Sequence, residues 1–430
     1  MSAPLRIAVA GLGTVGAGTV GLLRDNAELL AVRAGRPLEL VAVSARDRGR
    51  ERGIDLSSVA WYDDAVVMAG EAPVDVVVEL IGGPDGPAKA VCEAAIAAGR
   101  DVVTANKALL AHHGNELARL AEEKGVVLDY EAAVAGGIPI VKALREGLAA
   151  NRIERIYGIL NGTSNYILST MRETGRPFDE VLATAQELGY AEADPGMDVD
   201  GIDAAHKLAI LSSLAFGSAI DFAGVYIEGV RHVSPLDIEY AEELGYRIKL
   251  LGSARITEDG LEQRVHPCMV AKTAPIATVE GVINAVVARG HIVTDTVYEG
   301  PGAGAGPTAS AVVADLIDIA RGRRGATFGV PAAELASLPA APMERHRGAY
   351  YLRLQVRDQP GVMADITACF RDEQVSIGAM IQRGQSRTEA VPVVLTTHDC
   401  QEAAMRRTLA AIVKVDTVME TPRMIRIEPL

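Results

Sequence analysis

Residues 5–16, Leu-Arg-Ile-Ala-Val-Ala-Gly-Leu-Gly-Thr-Val-Gly, leave the start of this chain few folding options. From Ile7 to Ala10 the side chains are apolar without alternation, the pattern of a short strand buried on both faces. Gly11, Gly13 and Gly16 then spell G-x-G-x-x-G, and Thr14 to Leu30 reads as a helix. The first glycine permits a tight turn, the second lets backbone approach a pyrophosphate, and the third lets helix pack on strand. The helix N-terminus adds unpaired N–H groups and a partial positive charge. Glycine is plentiful here, so the three-glycine pattern alone is weak. A strand before it and a helix after it make Gly11, Leu12, Gly13, Thr14, Val15 and Gly16 a candidate dinucleotide turn.

The next strand, Leu38 to Val43, ends where the adenine ribose of such a ligand would lie. An NAD-preferring site usually places an acidic side chain there. Here the chain reads Ser44-Ala45-Arg46-Asp47-Arg48. Arg46 beside Ser44 suits a 2′-phosphate, so NADP is favoured over NAD, although Asp47 weakens the inference. Val74 to Leu80, Asp101 to Thr104 and Val126 to Asp129 read as further strands, separated by helices ending near Gly99 and Lys124. Alternation at this spacing predicts a parallel, doubly wound sheet, whose ligands bind beyond the C-terminal strand ends. Thr104 and Lys107 fall there. A lysine at a helix start opposes the helix dipole, which favours a ligand role for Lys107.

At Glu131 to Ile140 two glycines and a proline break the pattern, marking a crossing into a second domain. Ile153 to Leu160 reads as a strand, and Asn161-Gly162-Thr163 as a turn capping a helix towards Arg172. The polar stretch Gly189 to Asp200 then runs into a helix, Gly201 to Leu211. Asp203 and Lys207 are four residues apart and share a face. They suit either a surface ion pair or a lysine proton donor oriented by a carboxylate. Reduction of a carbonyl needs such a donor beside the oxygen that gains charge. His206, one residue away, points about 100° around the helix. Strand-like runs come next at Tyr246–Ile256, Gln263–Val270 and Ala285–Tyr298. The loop Gly300 to Thr308 then opens a helix from Ala309 to Arg321.

Composition bounds the class. With 430 residues, two or three domains are expected. A formal charge of −14 argues against non-specific binding to nucleic acid or anionic membranes. No apolar run reaches the ~20 residues that a membrane span needs. The first strand begins almost at the N-terminus, so no signal peptide is expected. Cys92, Cys268, Cys369 and Cys400 are widely spaced, which fits free thiols in a reducing cytoplasm. Pro331 to Arg347 reads as a linker. Beyond it the order strand, helix, strand, strand, helix, strand predicts a ferredoxin-like split β-α-β unit.

These residues resemble homoserine dehydrogenase over essentially the whole chain. The landmarks are Gly11 to Gly16, Thr104 to Lys107, Glu131 to Pro139, Asn161 to Thr163, Gly300 to Thr308 and, most specifically, Gly189 to Lys207. The tail from Tyr350 resembles an ACT domain, with Asp358-Gln359-Pro360-Gly361-Val362 as its signature. The resemblance implies an α/β protein of three parts. Residues 1–130 form a Rossmann domain completed by a helix at about 305–330. Residues 131–304 form an α+β substrate and dimerisation domain, 331–348 a linker, and 349–430 the regulatory ACT domain. It implies reversible NAD(P)H-dependent reduction of L-aspartate 4-semialdehyde to L-homoserine, on the route to threonine, methionine and isoleucine. Lys207 would donate the proton, and Asp203 would support it. Glu192 would hold the substrate ammonium, with Asp198, Gly162, Thr163 and Tyr190 lining the pocket. Lys107 would lie between nicotinamide and substrate, and Gly302 would touch the cofactor. A monovalent cation, usually sodium, would sit on backbone oxygens of Glu131, Val134, Gly136 and Ile138. Threonine would act through the tail, and the chain would form a dimer or tetramer. Two other readings compete: a cysteine-dependent semialdehyde dehydrogenase, and a non-enzymatic nucleotide or metabolite sensor.

Overall fold

The computed structural model describes residues 3–383 and 390–430. Its first layer runs β1 (Leu5–Ala10), α1 (Thr14–Asp25), α2 (Ala27–Ala34), β2 (Leu38–Ser44), β3 (Ala60–Tyr62), α3 (Ala65–Glu71), β4 (Val76–Glu79), α4 (Pro87–Ala97), β5 (Asp101–Thr104), α5 (Lys107–Lys124) and β6 (Leu128–Asp129). The six strands are parallel in the order β3-β2-β1-β4-β5-β6. This is the doubly wound sheet expected from the alternation. Two details differ from expectation. The helix read over Thr14–Leu30 is broken at Asn26, a residue type that competes for backbone hydrogen bonds and so favours helix ends. The edge strand β3 and helix α3 carry too short a pattern to be read.

A crossing segment comes next, including the single turn α6 (Ile140–Lys142). Beyond it come β7 (Ile153–Ile159), α7 (Gly162–Thr174), α8 (Phe178–Glu187), the turn α9 (Gly196–Val199), α10 (Ile202–Phe216), β8 (Tyr226–Ile227) and α11 (Pro235–Glu243). Then come β9 (Tyr246–Thr257), β10 (Gly260–Ala271), β11 (Ile283–Gly290), β12 (Thr294–Pro301) and α12 (Ala305–Ala320). The run read as one strand over Ala285–Tyr298 is a hairpin, reversing between Gly290 and Thr294, with Thr294 at φ 57°. Helix α12 also starts earlier than Ala309, taking in part of the glycine loop. It packs back on α1: Val312 and Leu316 share a core with Ile7, Val9 and Val20.

The remaining elements are β13 (Arg347–Arg357), α13 (Val362–Asp372), β14 (Ile377–Gln382), β15 (Ala390–Thr397), β16 (Cys400–Gln401), α14 (Glu402–Ile412) and β17 (Arg423–Glu428). Their strand order β17-β13-β15-β14 is that of a split β-α-β unit. This unit does not stand apart. Strand β17 pairs in parallel with β10, so one sheet runs β12-β11-β7-β9-β10-β17-β13-β15-β14. The seam is ionic and buried. Glu428 meets Arg264 at 2.8 Å and Arg155 at 2.6 Å, while Arg426 meets Glu402 at 2.6 Å and Glu228 at 2.8 Å. His266, Cys268 and Glu428 cluster within 4.8 Å there, but the two guanidinium groups already balance the carboxylate, and no metal is assigned. Residues 331–346 are held down as well, through Leu261 N–H to Pro339 O and a buried His346. Among the described residues, no helix is long and apolar enough to cross a membrane.

Candidate active site

Parallel register sets one edge of the site. Ala10 is level with Ser44 on one side and Glu79 on the other, and Glu79 with Thr104. Of these strand ends Ser44 lines a cavity of about 810 Å³, together with Gly11, Leu12, Gly13, Arg46 and Leu80. The turn is tight: Gly11 has φ +97°, and a Cβ there would lie 2.5 Å from Leu80 O. Nothing lies within 4 Å of a Cβ placed on Gly13, so backbone there is open to a ligand. Helix α1, with Thr14 and Val15 in its first turn, has no side-chain cap, leaving its first N–H groups for an anion. The donor set and the open backbone at Gly13 fit a dinucleotide.

Arg46 is exposed at the rim of this cavity. The anchored guanidinium is that of Arg52, which sequence reasoning missed. It donates to Leu12 O (3.2 Å), Arg50 O (2.6 Å) and Asp47 O, and stacks 5.7 Å from Trp61. The alternate arginines at 46, 48, 50 and 52 were the available signal. Glu79 was missed too. Its fully buried carboxylate accepts from Ile81 N–H (2.7 Å), Gly82 N–H (3.2 Å) and the Thr104 hydroxyl (2.6 Å). The Thr104 side chain is therefore committed to the loop after β4.

The second edge comes from α10. Asp203 and Lys207 are buried, with 6% and 7% exposure, so their spacing does not mark a surface ion pair. Lys207 Nζ donates to Asp203 Oδ2 at 2.7 Å and to Leu160 O at 2.8 Å. An ammonium has three donors, and the third remains available. Asp203 Oδ1 lies 3.2 Å from Nζ of Lys107, which starts α5 beside the parallel sheet. One carboxylate thus ties the two halves of the site together. Asn161 caps α7 with its side-chain oxygen, while its Nδ2 donates to Asp198 (2.8 Å) and Asp203 (2.9 Å).

The charges reflect this packing. Burial opposes ionisation of Asp203, but Lys207 and Lys107 outweigh it and hold the carboxyl well below the usual range. Attraction to Asp203 raises Lys107 above an ordinary lysine, and Asp198 and Glu192 add to that. Burial pushes the Asp198 carboxyl up, against the hydrogen bond from Asn161. The site therefore holds two ammonium groups among carboxylates. Glu192 is exposed on the strip above, and Tyr190 lends its carbonyl to the Thr163 hydroxyl at 2.7 Å. A Cβ on Gly162 would lie 2.5 Å from Val282 O. His206 turns away from the acids onto His112 and Phe222, and burial lowers it to about 4.

The crossing loop is kinked, with Ala135 at φ 50°. Glu131 spends its carboxylate on Val141 N–H (3.0 Å) and Lys142 N–H (2.8 Å), and burial pushes that carboxyl up to about 7. What the loop offers a cation is backbone carbonyl oxygen at Glu131, Val134, Gly136 and Ile138. The last already accepts from Ile140 N–H at 2.8 Å. The donor type fits a hard cation.

Comparison with known proteins bears on this geometry. Residues 11–131 match the family model "Homoserine dehydrogenase, NAD binding domain", and residues 139–317 match "Homoserine dehydrogenase". The homoserine dehydrogenase of Neisseria gonorrhoeae is 48% identical over 433 residues, covering 99% of each chain. The crystal structure of a homoserine dehydrogenase from Thiobacillus denitrificans superposes with TM-score 0.93 at 48% identity, covering 99% of this chain and 98% of that one. A hyperthermophilic archaeal homoserine dehydrogenase in complex with NADPH matches 75% of this chain and 100% of its own, with TM-score 0.65 and 26% identity.

Proposed function

The chain belongs to the homoserine dehydrogenase family, and on that premise we propose that it reduces L-aspartate 4-semialdehyde reversibly to L-homoserine with NADPH. One observation carries the reading: Asp203 orients Lys207 at 2.7 Å and Lys107 at 3.2 Å, leaving a Lys207 N–H for the substrate. NADPH, when bound, supplies the hydride. Gly11 to Gly16 and the start of α1 would hold its pyrophosphate, Arg46 at the cavity rim would face its 2′-phosphate, and Gly302 would border it. Glu192 and Asp198 attract the substrate ammonium, with Gly162, Thr163 and Tyr190 shaping the pocket around it. Lys107, held by Asp203, would lie between substrate and cofactor. Lys207 then gives its proton to the carbonyl oxygen as negative charge develops there, with Asp203 holding the ammonium in line. Positioning does most of this work, since the difficult chemistry belongs to the cofactor. Carbonyls of Glu131, Val134, Gly136 and Ile138 would hold a sodium ion that stiffens the crossing loop.

The tail from β13 to β17 is read as an ACT domain that binds threonine. The cavity of about 680 Å³ lined by Asp358, Gln359, Gly361 and Gln382 is the proposed place for it. The enzyme works in the cytoplasm as a dimer or tetramer. A thiol mechanism has no support here: Cys92 and Cys268 are fully buried, and burial raises both thiols well above the usual value. The test is initial-rate reduction of the semialdehyde with NADPH and with NADH, each with and without threonine. Faster turnover at lower KM with NADPH, inhibited by threonine, is expected. No turnover with either cofactor sinks the reading.

A further inference from the structure

Asn284 heads strand β11 and is 1% exposed, a costly place for a primary amide unless it has work there. Its Nδ2 donates to Leu160 O at 3.0 Å. The same carbonyl accepts from Lys207 Nζ at 2.8 Å. A carbonyl oxygen has two lone pairs, so two donors from different directions fix that peptide. Turning the amide over would set its oxygen against Leu160 O, so the contact decides the orientation. Asn284 Oδ1 has no hydrogen-bond partner among the described residues. Gly162 and Gly302 both lie against this amide, Gly302 more tightly. A Cβ on Gly302 would fall 2.1 Å from Asn284 Nδ2 and 2.6 Å from Oδ1. The amide thus fills the space that a side chain at 302 would occupy, three residues before α12 begins.

We propose that Asn284 is a positioning residue for the reaction: it fixes the Leu160 carbonyl on which Lys207 rests, and ties that support to the Gly302 loop. The inference rests on Lys207 being the proton donor. It gives the buried amide of Asn284 a task through its Nδ2. It also makes glycine at 302 a requirement of this chain's own packing, apart from any ligand there.

Asn284→Asp tests it with little change of shape. An aspartic acid donates to Leu160 O only while protonated, and the ionised form repels that oxygen. N284D is expected to approach wild-type kcat at the acid end of the pH profile. It should lose at least about tenfold as pH rises, with NADPH Kd, read by fluorescence, within about twofold of wild type. N284A is expected to lose about 10- to 100-fold in kcat at every pH. G302A should cost much less in the N284A background than in wild type, because the clash is gone. A wild-type pH profile for N284D, additive losses for the double variant, or loss of NADPH binding in step with kcat would reduce Asn284 to packing and overturn the proposal. K207A is run alongside. If it keeps turnover, the lysine reading falls and this one with it; if it is dead while N284D behaves as wild type, only the role of Asn284 falls.

Discussion

Asp203→Asn keeps the shape of the side chain and removes its charge, which separates orientation from electrostatics. In the native site Oδ2 accepts from Lys207 at 2.7 Å and Asn161 at 2.9 Å, and Oδ1 faces Lys107 at 3.2 Å. An amide offers one oxygen to these three donors, so its own N–H groups must face at least one of them. Two ammonium groups are left in a buried site without their shared counter-charge. Removing one partner of a buried ion pair costs about 3–5 kcal/mol. The site can escape part of that by losing a proton from a lysine. If Lys207 loses it, the acid is gone, and general acid catalysis contributes typically 10²–10⁴-fold. We therefore expect kcat to fall about 10²- to 10³-fold, equivalent to about 3–4 kcal/mol of barrier. NADPH should still bind, since the cavity at Gly11 to Gly13 lies on the other edge. Because Asp203 supports the charge of Lys107, activity should also fade at lower pH than in wild type. The assay is initial-rate NADPH consumption with the semialdehyde across pH, with NADPH binding measured in parallel. A D203N enzyme that binds NADPH and turns over within tenfold of wild type would refute the reasoning.

Other contacts carry their own expected outcomes. Arg52→Leu frees two carbonyls in the loop that carries Arg46 and a third, Leu12 O, in the glycine turn, so KM for NADPH should rise about tenfold, about 1.4 kcal/mol, with a smaller effect on NADH; equal changes for the two cofactors would contradict a role in ordering the 2′-phosphate loop. His206, lowered to about 4 from 6.5, is neutral in the fold while the unfolded chain takes up a proton below pH 6.5. Stability is thus lost as pH falls from 6.5 towards 4, by about 2.5 kcal/mol at pH 4.5. Urea unfolding of His206→Gln at pH 7 and pH 4.5 should show a loss smaller than wild type by that amount, and an identical loss would remove His206 from the balance. Glu428→Gln leaves Arg264 and Arg155 short of their counter-charge and should lower stability by about 3–5 kcal/mol in urea while NADPH binding persists. For the same reason a chain ending near Arg347 should not fold cleanly, since it loses the strand beside β10; a soluble, active product of that length would show that the seam is dispensable.

Much of this architecture can be read from residue pattern alone, and the exceptions have physical causes. Parallel strands buried on both faces are uniformly apolar, so β1, β4 and β5 stand out, and Gly11 to Gly16 specifies the turn and helix after β1. Strand β3, three residues at a sheet edge, has no periodicity to detect. Ile283 to Tyr298 stays strand-like through Gly290 without an Asn-Gly or Asp-Gly pair, so the hairpin is hidden. The spacing of Asp203 and Lys207 is the same for a surface pair as for a buried one. Only the arrival of Lys107 and Leu160 from distant parts of the chain makes the difference. The parallel pairing of β17 with β10 is equally remote, joining strands more than a hundred residues apart. Glu79 and Asn284 did leave a trace: Glu79 is the single polar residue closing a run of valines, and Asn284 is an amide next to the first residue of a strand that continues Ala-Val-Val-Ala. That is the place where a lone acid or amide is retained for its hydrogen bonds.

Catalysis turns on whether the Lys207 ammonium delivers the proton that completes hydride addition. Lys207→Met keeps the length of the side chain and removes that proton. Rapid mixing of the preformed variant–NADPH complex with L-aspartate 4-semialdehyde reads single-turnover NADPH oxidation. The predicted result is NADPH affinity within about twofold of wild type and oxidation at least about 10³-fold slower. Oxidation within tenfold of the wild-type rate would contradict it.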